Sequence, residues 1–219
     1  MKVLVFDTET TGLLQTFQTT IFDTDKCPYI VQLSWILYDT DDHTLLNCQD
    51  HLIDCPIEIP PESTKIHGIK NSYTKRKGVP IDYAMDLFDL DVQRCDTIVA
   101  HNVSFDKRMC MLECIRLKRQ HPFIHNGLTK PIYCTMMESK SFCNIIRPFN
   151  HCNGTYVKFP KLIELHDALF GYTPKGAHDA MADVLICLRC YMKYKDDIDV
   201  VKHNRTLSKM FELYCGSYR

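Results

Sequence analysis

Residues 3–13 read VLVFDTETTGL: four apolar positions run straight into two carboxylates spaced two apart, then threonines and a glycine. A run this short and partly β-branched predicts a buried strand, and strand geometry puts Asp7 and Glu9 on the same side. Two carboxylates crowded at one strand end repel and shift each other's pKa unless a cation sits between them, a place that suits a hard divalent metal. Taken alone, the pattern describes equally well a strand that ends in a polar turn. The rest of the chain must decide.

The 219 residues, 45% of them hydrophobic, suit one domain of ordinary to large size with a real core. With 26 basic and 27 acidic side chains the formal charge is −1, which excludes a global positive field of the kind that holds a protein nonspecifically along nucleic acid. A nucleic-acid partner must be gripped locally. No stretch approaches the roughly 20 apolar residues that cross a bilayer, and Asp7 cuts the first apolar run short of a signal-peptide core. The expectation is an intracellular protein, cytoplasmic or nuclear, neither secreted nor in a membrane. Its twelve cysteines are expected to be mostly reduced. Cys187 and Cys190 form a C-x-x-C, and Cys143, His151 and Cys152 share one loop-like stretch. The first pair, however, lies in ADVLICLRCYMKY, residues 182–194, which reads as continuous helix, whereas structural zinc pairs sit on turns. Zinc is not expected.

YIVQLSWILYD (29–39) and TLLNCQDHLID (44–54), separated by the turn-like DTDDH, join the first run as three successive strands, antiparallel where the connections are short. Residues 55–80, rich in proline and glycine, read as loop and short helix. Ile81, Met85, Phe88 and Val92 then recur at helical spacing and lead into the strand DTIVAHN (96–102). Ser104 is expected to cap the following helix, and PIYCTMM (131–137) is a candidate fifth strand. Residues 139–160 read as an excursion over the site or a small hairpin. KLIELHDALFG (161–171) and AHDAMADVLICLRCYMKYK (177–195) close the core as helices, with Gly171 stopping the first. This order argues for an α/β fold, a mixed five-stranded sheet flanked by helices. Residues 1–195 are expected to form the domain and residues 196–219 a helical extension packed on it.

Two further stretches answer the opening one. IVAHNVSFD (98–106) deposits His101, Asn102 and Asp106 beyond a strand end and in a helix's first turn, where ligands collect in such folds, although the helix dipole alone also favours an Asp there. In GAHDAMADV (176–184), a helical projection turns Asp183 away from the stripe of Met181, Val184, Leu185 and Leu188, onto a line with Cys187 and Cys190. That face looks covered too, so a carboxylate on it needs a cation, a donor or a metal. Asp179, one turn earlier, is its rival. His178 points about 140° away from Asp183 in a regular helix, so it reaches a shared site only from the entering loop, which Gly176 permits.

In order and internal spacing, FDTETTGL, HNVSFD and HDAMAD resemble the three motifs of the DEDDh exonucleases, the family of the proofreading subunit of bacterial replicative polymerase, ribonuclease T, oligoribonuclease and the metazoan three-prime repair exonucleases. KIHGIKN (65–71) and FPKLIELHDALFG (159–171) extend the likeness over residues 2–195. The resemblance implies a ribonuclease H-like fold, with Asp7, Glu9, Asp106 and Asp183 as catalytic carboxylates holding two Mg²⁺ or Mn²⁺ ions and His178 as general base. Position 179, a tyrosine in the other branch, is Asp here, which indicates the histidine branch and makes Asp179 a bystander. The resemblance also places Thr10, Thr11, Gly12 and Leu13 against the terminal nucleotide, Leu13 as a wedge. A plain glycine turn explains each of these residues too. Asn102 is a candidate donor to phosphate or sugar, and His67 a candidate for the pocket wall. Lys70, Lys75, Arg76 and Lys77 around Tyr73 either track a single strand or form a solvated loop.

The implied activity is hydrolysis of the last phosphodiester at a nucleic-acid 3′ end, releasing nucleoside 5′-monophosphates, with DNA slightly favoured. A polymerase or repair partner is compatible with it, and oligomeric state is left open. Alternatives are an RNA 3′-end trimmer of the same family, a ribonuclease H-type endonuclease, which gives His178 no role, and an inactive nucleic-acid-binding scaffold, which is expected to lose at least one of the five polar positions. Residues 14–28 and 139–160 are expected to hold the substrate preference.

Overall fold

In the computed structural model, residues 1–14, 20–125, 127–150 and 153–218 are described. His151 and Cys152, raised above as zinc ligands, lie outside them. β1 (Lys2–Thr10), β2 (Ile30–Asp39) and β3 (Thr44–Leu52) form an antiparallel meander. Two short helices, α1 (Pro61–His67) and α2 (Asn71–Lys77), and the longer α3 (Ile81–Arg94) lead to β4 (Thr97–Ala100), and α4 (Val103–Arg116) follows. A two-residue pair, β5 (Ile124–His125) and β6 (Leu128–Thr129), precedes β7 (Ile132–Cys134). Single turns α5 (Thr135–Glu138) and α6 (Lys140–Cys143) lead to a hairpin, β8 (Ile146–Pro148) with β9 (Thr155–Val157). Helices α7 (Leu162–Phe170), α8 (Ala180–Asp196), α9 (Val200–His203) and α10 (Arg205–Cys215) complete the chain.

The main sheet has the order β3-β2-β1-β4-β7, with β4 parallel to both β1 and β7. Strand alternation sends Val3 and Val5 into a core with α7, α8 and α10, and Leu4 and Phe6 into a second core with α3 and α4. Burial on both faces explains why β1 and β2 read as nearly continuous apolar runs. It also makes the exceptions informative. Ser34 and Gln32 stand opposite Asp7 and Glu9 in the register, and Asp50 of β3 stands opposite Ser34. A polar line therefore crosses three strands on the α8 side.

Two local expectations differ from the structure. The fifth strand stops at Cys134, because Thr135 turns out of the sheet and its Oγ1 donates to the Ala100 carbonyl at 3.3 Å. Helix α4 starts two residues earlier than a Ser104 cap requires. Asn102 adopts a left-handed conformation, φ 69° and ψ 44°, and turns strand into helix within one residue, leaving Ser104 exposed in the first turn.

The last helices share the α8-side core through Val200, Val201, Leu207, Phe211 and Cys215. Arg189 is fully buried there. Its guanidinium grips both oxygens of Asp199 at 2.8 Å, donates to Tyr172 Oη, and lies over the rings of Phe170 and Phe211 at 3.9 and 4.8 Å. His166 completes the cage: Nδ1 bonds the Tyr172 carbonyl at 3.0 Å, which leaves Nε2 as acceptor for Arg189 at 3.2 Å. Burial holds this imidazole down at about 4.

Eleven cysteines are described, all free thiols and nine of them buried; Cys187 and Cys190 lie within α8 as continuous helix. Among the described residues no helix is long and apolar enough to cross a membrane.

Candidate active site

At the carboxyl end of β1, Asp7 and Glu9 face α8 while Thr8 faces α4. The Thr8 N–H and hydroxyl both donate to Asp106 Oδ1, at 3.1 and 2.7 Å, and so tie the first turn of α4 to the strand. From the other side comes Asp183, in the first turn of α8. Asp179 serves the helix instead, as the N-cap of α8 that accepts the Ala182 N–H at 3.1 Å. His178 stands outside the helix in the left-handed region, φ 72°, and its backbone N–H meets Asp183 Oδ2 at 3.4 Å. Glu9, His178 and Asp183 each present a ligand atom within 4.8 Å of the others.

Gly176 makes this entry loop. Its φ is 77°, and a Cβ there would meet the Tyr214 carbonyl oxygen at 2.2 Å, so the loop carrying His178 lies flush against α10.

Burial is the first cause that raises every one of the four carboxylates, and their mutual repulsion adds to it. Asp7 is held well above the ordinary range, with Asp106, Asp183, Glu9 and Asp179 as the charges acting on it. Glu9 is pushed up to about 8, and Asp106 and Asp183 to about 7. Every charged neighbour acting on Asp7 and Glu9 is another carboxylate. An all-oxygen donor set with uncompensated negative charge fits a hard divalent cation.

Beside these groups lies a pocket of about 310 Å³ lined by Thr8, Glu9, Thr10, Gly12, Leu13, Ser63, Ile66, His67, Phe105 and His178. Four of the residues expected at the terminal nucleotide, Thr10, Gly12, Leu13 and His67, are in its wall. Leu13 and Ile66 are among the most exposed apolar side chains of the chain, at 80% and 60%. His67 Nδ1 accepts the Ile69 N–H at 3.0 Å, which places the proton of the neutral ring on Nε2, a buried atom with no hydrogen-bond partner among the described residues. The Thr11 side chain is turned the other way. Its hydroxyl accepts the Tyr29 N–H at 2.9 Å and its carbonyl accepts Ser63 Oγ at 2.8 Å, so it holds the turn. Asn102 is exposed at the start of α4, and His101 beside it is committed to Thr135 Oγ1 and the Pro160 carbonyl at 2.9 and 3.0 Å.

Sequence reasoning missed Ser63, Ile66 and Phe105 in the pocket wall, and the polar line behind the carboxylates. Gln32 donates to Asp50 at 2.8 Å, which aims its carbonyl oxygen at the Ala180 N–H, 3.2 Å away at the start of α8. The available signal was two polar residues, Gln32 and Ser34, spaced as Asp7 and Glu9 are, inside an apolar strand. Gln32→Leu is expected to strand the Ala180 donor and lower stability by about 1–3 kcal/mol. Urea denaturation checks this: a midpoint within error of the parent protein would mean that α8 is anchored without Gln32.

The family model described as Exonuclease, of the RNase T type, matches residues 4–191. No curated protein matches the chain by sequence at a significant level. Among solved structures, E. coli exonuclease I in complex with a dA16 oligonucleotide superimposes with a TM-score of 0.63 at 18% identity, over 96% of this chain and 43% of that one. The zinc-bound form of the E. coli exonuclease I complex with single-stranded DNA gives 0.65 at 19% identity, over 97% and 45%. This chain thus spans less than half the length of those proteins, and at such identity the likeness shows the fold, the ribonuclease H-like mixed sheet. With the family model covering most of its length, the chain belongs to the DEDDh-type 3′–5′ exonuclease family.

Proposed function

We propose that this chain is a two-metal-ion 3′–5′ exonuclease that removes nucleotides from single-stranded or frayed 3′ ends, DNA slightly favoured over RNA, as nucleoside 5′-monophosphates. The observation that carries the reading is the convergence of Asp7, Glu9, Asp106 and Asp183 with His178 at the rim of a pocket sized for one nucleotide. The oligonucleotide complexes of E. coli exonuclease I lend support to a single-stranded substrate.

In this reading Asp7, Glu9, Asp106 and Asp183 hold two Mg²⁺ or Mn²⁺ ions. Bound there, the ions polarise the scissile phosphate, lower the pKa of the attacking water and steady the leaving oxygen. His178, an imidazole on an exposed loop, takes the proton of the attacking water, and Asp183 Oδ2 accepts the His178 backbone N–H at 3.4 Å, which holds that loop. Leu13 and Ile66 hold the terminal base between apolar side chains. His67 forms part of the pocket wall beside them. Gly12 lets the backbone approach closely, and Thr10 Oγ1 fixes that turn by donating to the Gly12 carbonyl at 2.6 Å. Thr11 acts through the turn and Asn102 from the start of α4.

The test is a time course on 5′-labelled DNA and RNA of equal sequence in Mg²⁺ and in Mn²⁺, beside His178→Ala. A ladder shortening from the 3′ end, slowed at least about 100-fold by the substitution, is expected, in line with the usual contribution of a general base. If neither polymer shortens, or His178→Ala cuts as fast as the parent, the catalytic assignment is wrong.

A further inference from the structure

The hairpin β8–β9 carries features that the terminal-nucleotide pocket does not use. In its register Arg147 stands directly opposite Tyr156, and Phe149, two residues on, falls on the same face. The rings of Phe149 and Tyr156 pack at 5.1 Å, 31° apart in plane, and both side chains are exposed. One cation and two aromatic rings thus share a single open face. Further down, Lys140 Nζ lies 4.5 Å over the exposed ring of Phe159.

Charge argues in the same direction. The chain as a whole is formally −1, yet residues 139–163 include Lys140, Arg147, Lys158 and Lys161 and neither Asp nor Glu; Lys158 is paired with Glu164 at 2.6 Å, and Arg147 is the cation on the hairpin's open face. A positively charged, aromatic surface is complementary to a single strand, whose phosphates and bases it meets by charge and by stacking. A folded core offers no reason to keep these side chains in water.

Position ties the hairpin to the reaction. It leaves and rejoins the fold at the carboxyl ends of β4 and β7, the same sheet end that bears Asp7 and Glu9. Its base is fastened by the Pro160 carbonyl to His101 Nε2 at 3.0 Å, five residues before Asp106. Strand β7, which leads toward the hairpin, is the sheet edge beyond β4, whereas α1 supplies Ser63, Ile66 and His67 to the pocket beside β1.

We propose that the face of Arg147, Phe149 and Tyr156 binds the stretch of single-stranded DNA that lies 5′ of the nucleotide being removed. The inference rests on the exonuclease reading and adds a second subsite to it: the pocket takes the end, and the hairpin holds the strand.

The test compares a dT20 oligonucleotide with the p-nitrophenyl ester of thymidine 5′-monophosphate, which fills the terminal pocket alone. Arg147→Glu and Tyr156→Ala are each expected to raise KM on dT20 about tenfold, as loss of one stacking or phosphate contact does. Both should leave kcat on dT20 and hydrolysis of the ester within about twofold of the parent, and Arg147→Lys should restore most of the KM. Loss of one phosphate contact should also flatten the salt dependence of dT20 binding by about one unit in Arg147→Glu. An unchanged KM on dT20 in both variants overturns the proposal and leaves the exonuclease reading standing. So does equal loss on both substrates, which would put the hairpin in the chemistry or the fold. If the parent protein hydrolyses neither substrate, the exonuclease reading fails, and fluorescence anisotropy of labelled dT20 decides the hairpin separately. Equal Kd for parent and variants would then overturn it, and a weaker Kd in both would support it.

Discussion

Asp7→Asn is expected to abolish phosphodiester hydrolysis and, without divalent metal, to make the protein more stable. The first effect follows from removing a donor from the candidate metal cluster: electrostatic stabilisation worth several kcal/mol corresponds to a loss of about 10³-fold or more. The second follows from the charges themselves. Asp7 is half-buried among four carboxylates, Asp106, Asp183, Glu9 and Asp179, that all oppose its ionisation, and an amide of the same shape removes that repulsion.

The sign of the pH dependence comes from the same group. Glu9 at about 8 and Asp106 and Asp183 at about 7 stand above their ordinary values near 4. Between those limits the folded state holds more protons than the unfolded chain, so stability falls as pH rises from about 4 to about 8. The metal-free protein should therefore melt lower at pH 8 than at pH 5.5, and Mg²⁺ or Mn²⁺ should reverse the trend by binding the ionised cluster. Calorimetry with EDTA and with each metal measures it. A metal-free midpoint independent of pH, and equal in Asp7→Asn, would mean that these carboxylates do not repel one another in solution.

The second large effect is structural. Asp199→Ala should cost about 3–5 kcal/mol, because it leaves the Arg189 guanidinium buried without its carboxylate. For a chain of this size that is a fall in Tm on the order of 10 °C. The double variant Arg189→Met with Asp199→Ala should recover much of the loss, since the aromatic cage of Phe170, Tyr172 and Phe211 accepts an apolar side chain. Urea denaturation of parent, single and double variants checks the pair. If the double variant is no more stable than the single one, an uncompensated charge is not what Asp199 prevents.

What the sequence made legible was what depends on local period. Alternation in β1 fixed which way Asp7 and Glu9 point, and the 100° step placed Asp183 away from the apolar stripe of α8 and His178 off its line; the helix itself begins at Ala180, later than the 177–195 reading, because Asp179 caps it. Gly171, at φ 74°, ends α7 where a left-handed residue was needed. What stayed hidden depends on register between distant strands or on one unusual torsion. Nothing local says that Gln32 will face Glu9 or that Asp50 will reach Gln32, because those pairings arise only when three strands align. Asn102 in the left-handed region moved the helix start: asparagine tolerates that conformation better than serine, but the same stretch also offered Ser104 as an ordinary N-cap, and nothing local chose between them. Ile66 reaches the pocket only because α1 folds back over the end of β1.

The buried thiols give the molecule an internal recorder of its own breathing. Burial lifts Cys95 and Cys114 to about 11 and Cys215 to about 12, so at neutral pH almost none of these sulfurs is both reachable and ionised. An alkylating reagent will mark each sulfur only when its layer opens. Cys110 and Cys114 report from the α4 layer, and Cys187, Cys190 and Cys215 from the α8 layer. Mass spectrometry of timed labelling would then tell which half of the sandwich loosens first, without adding a probe to the chain.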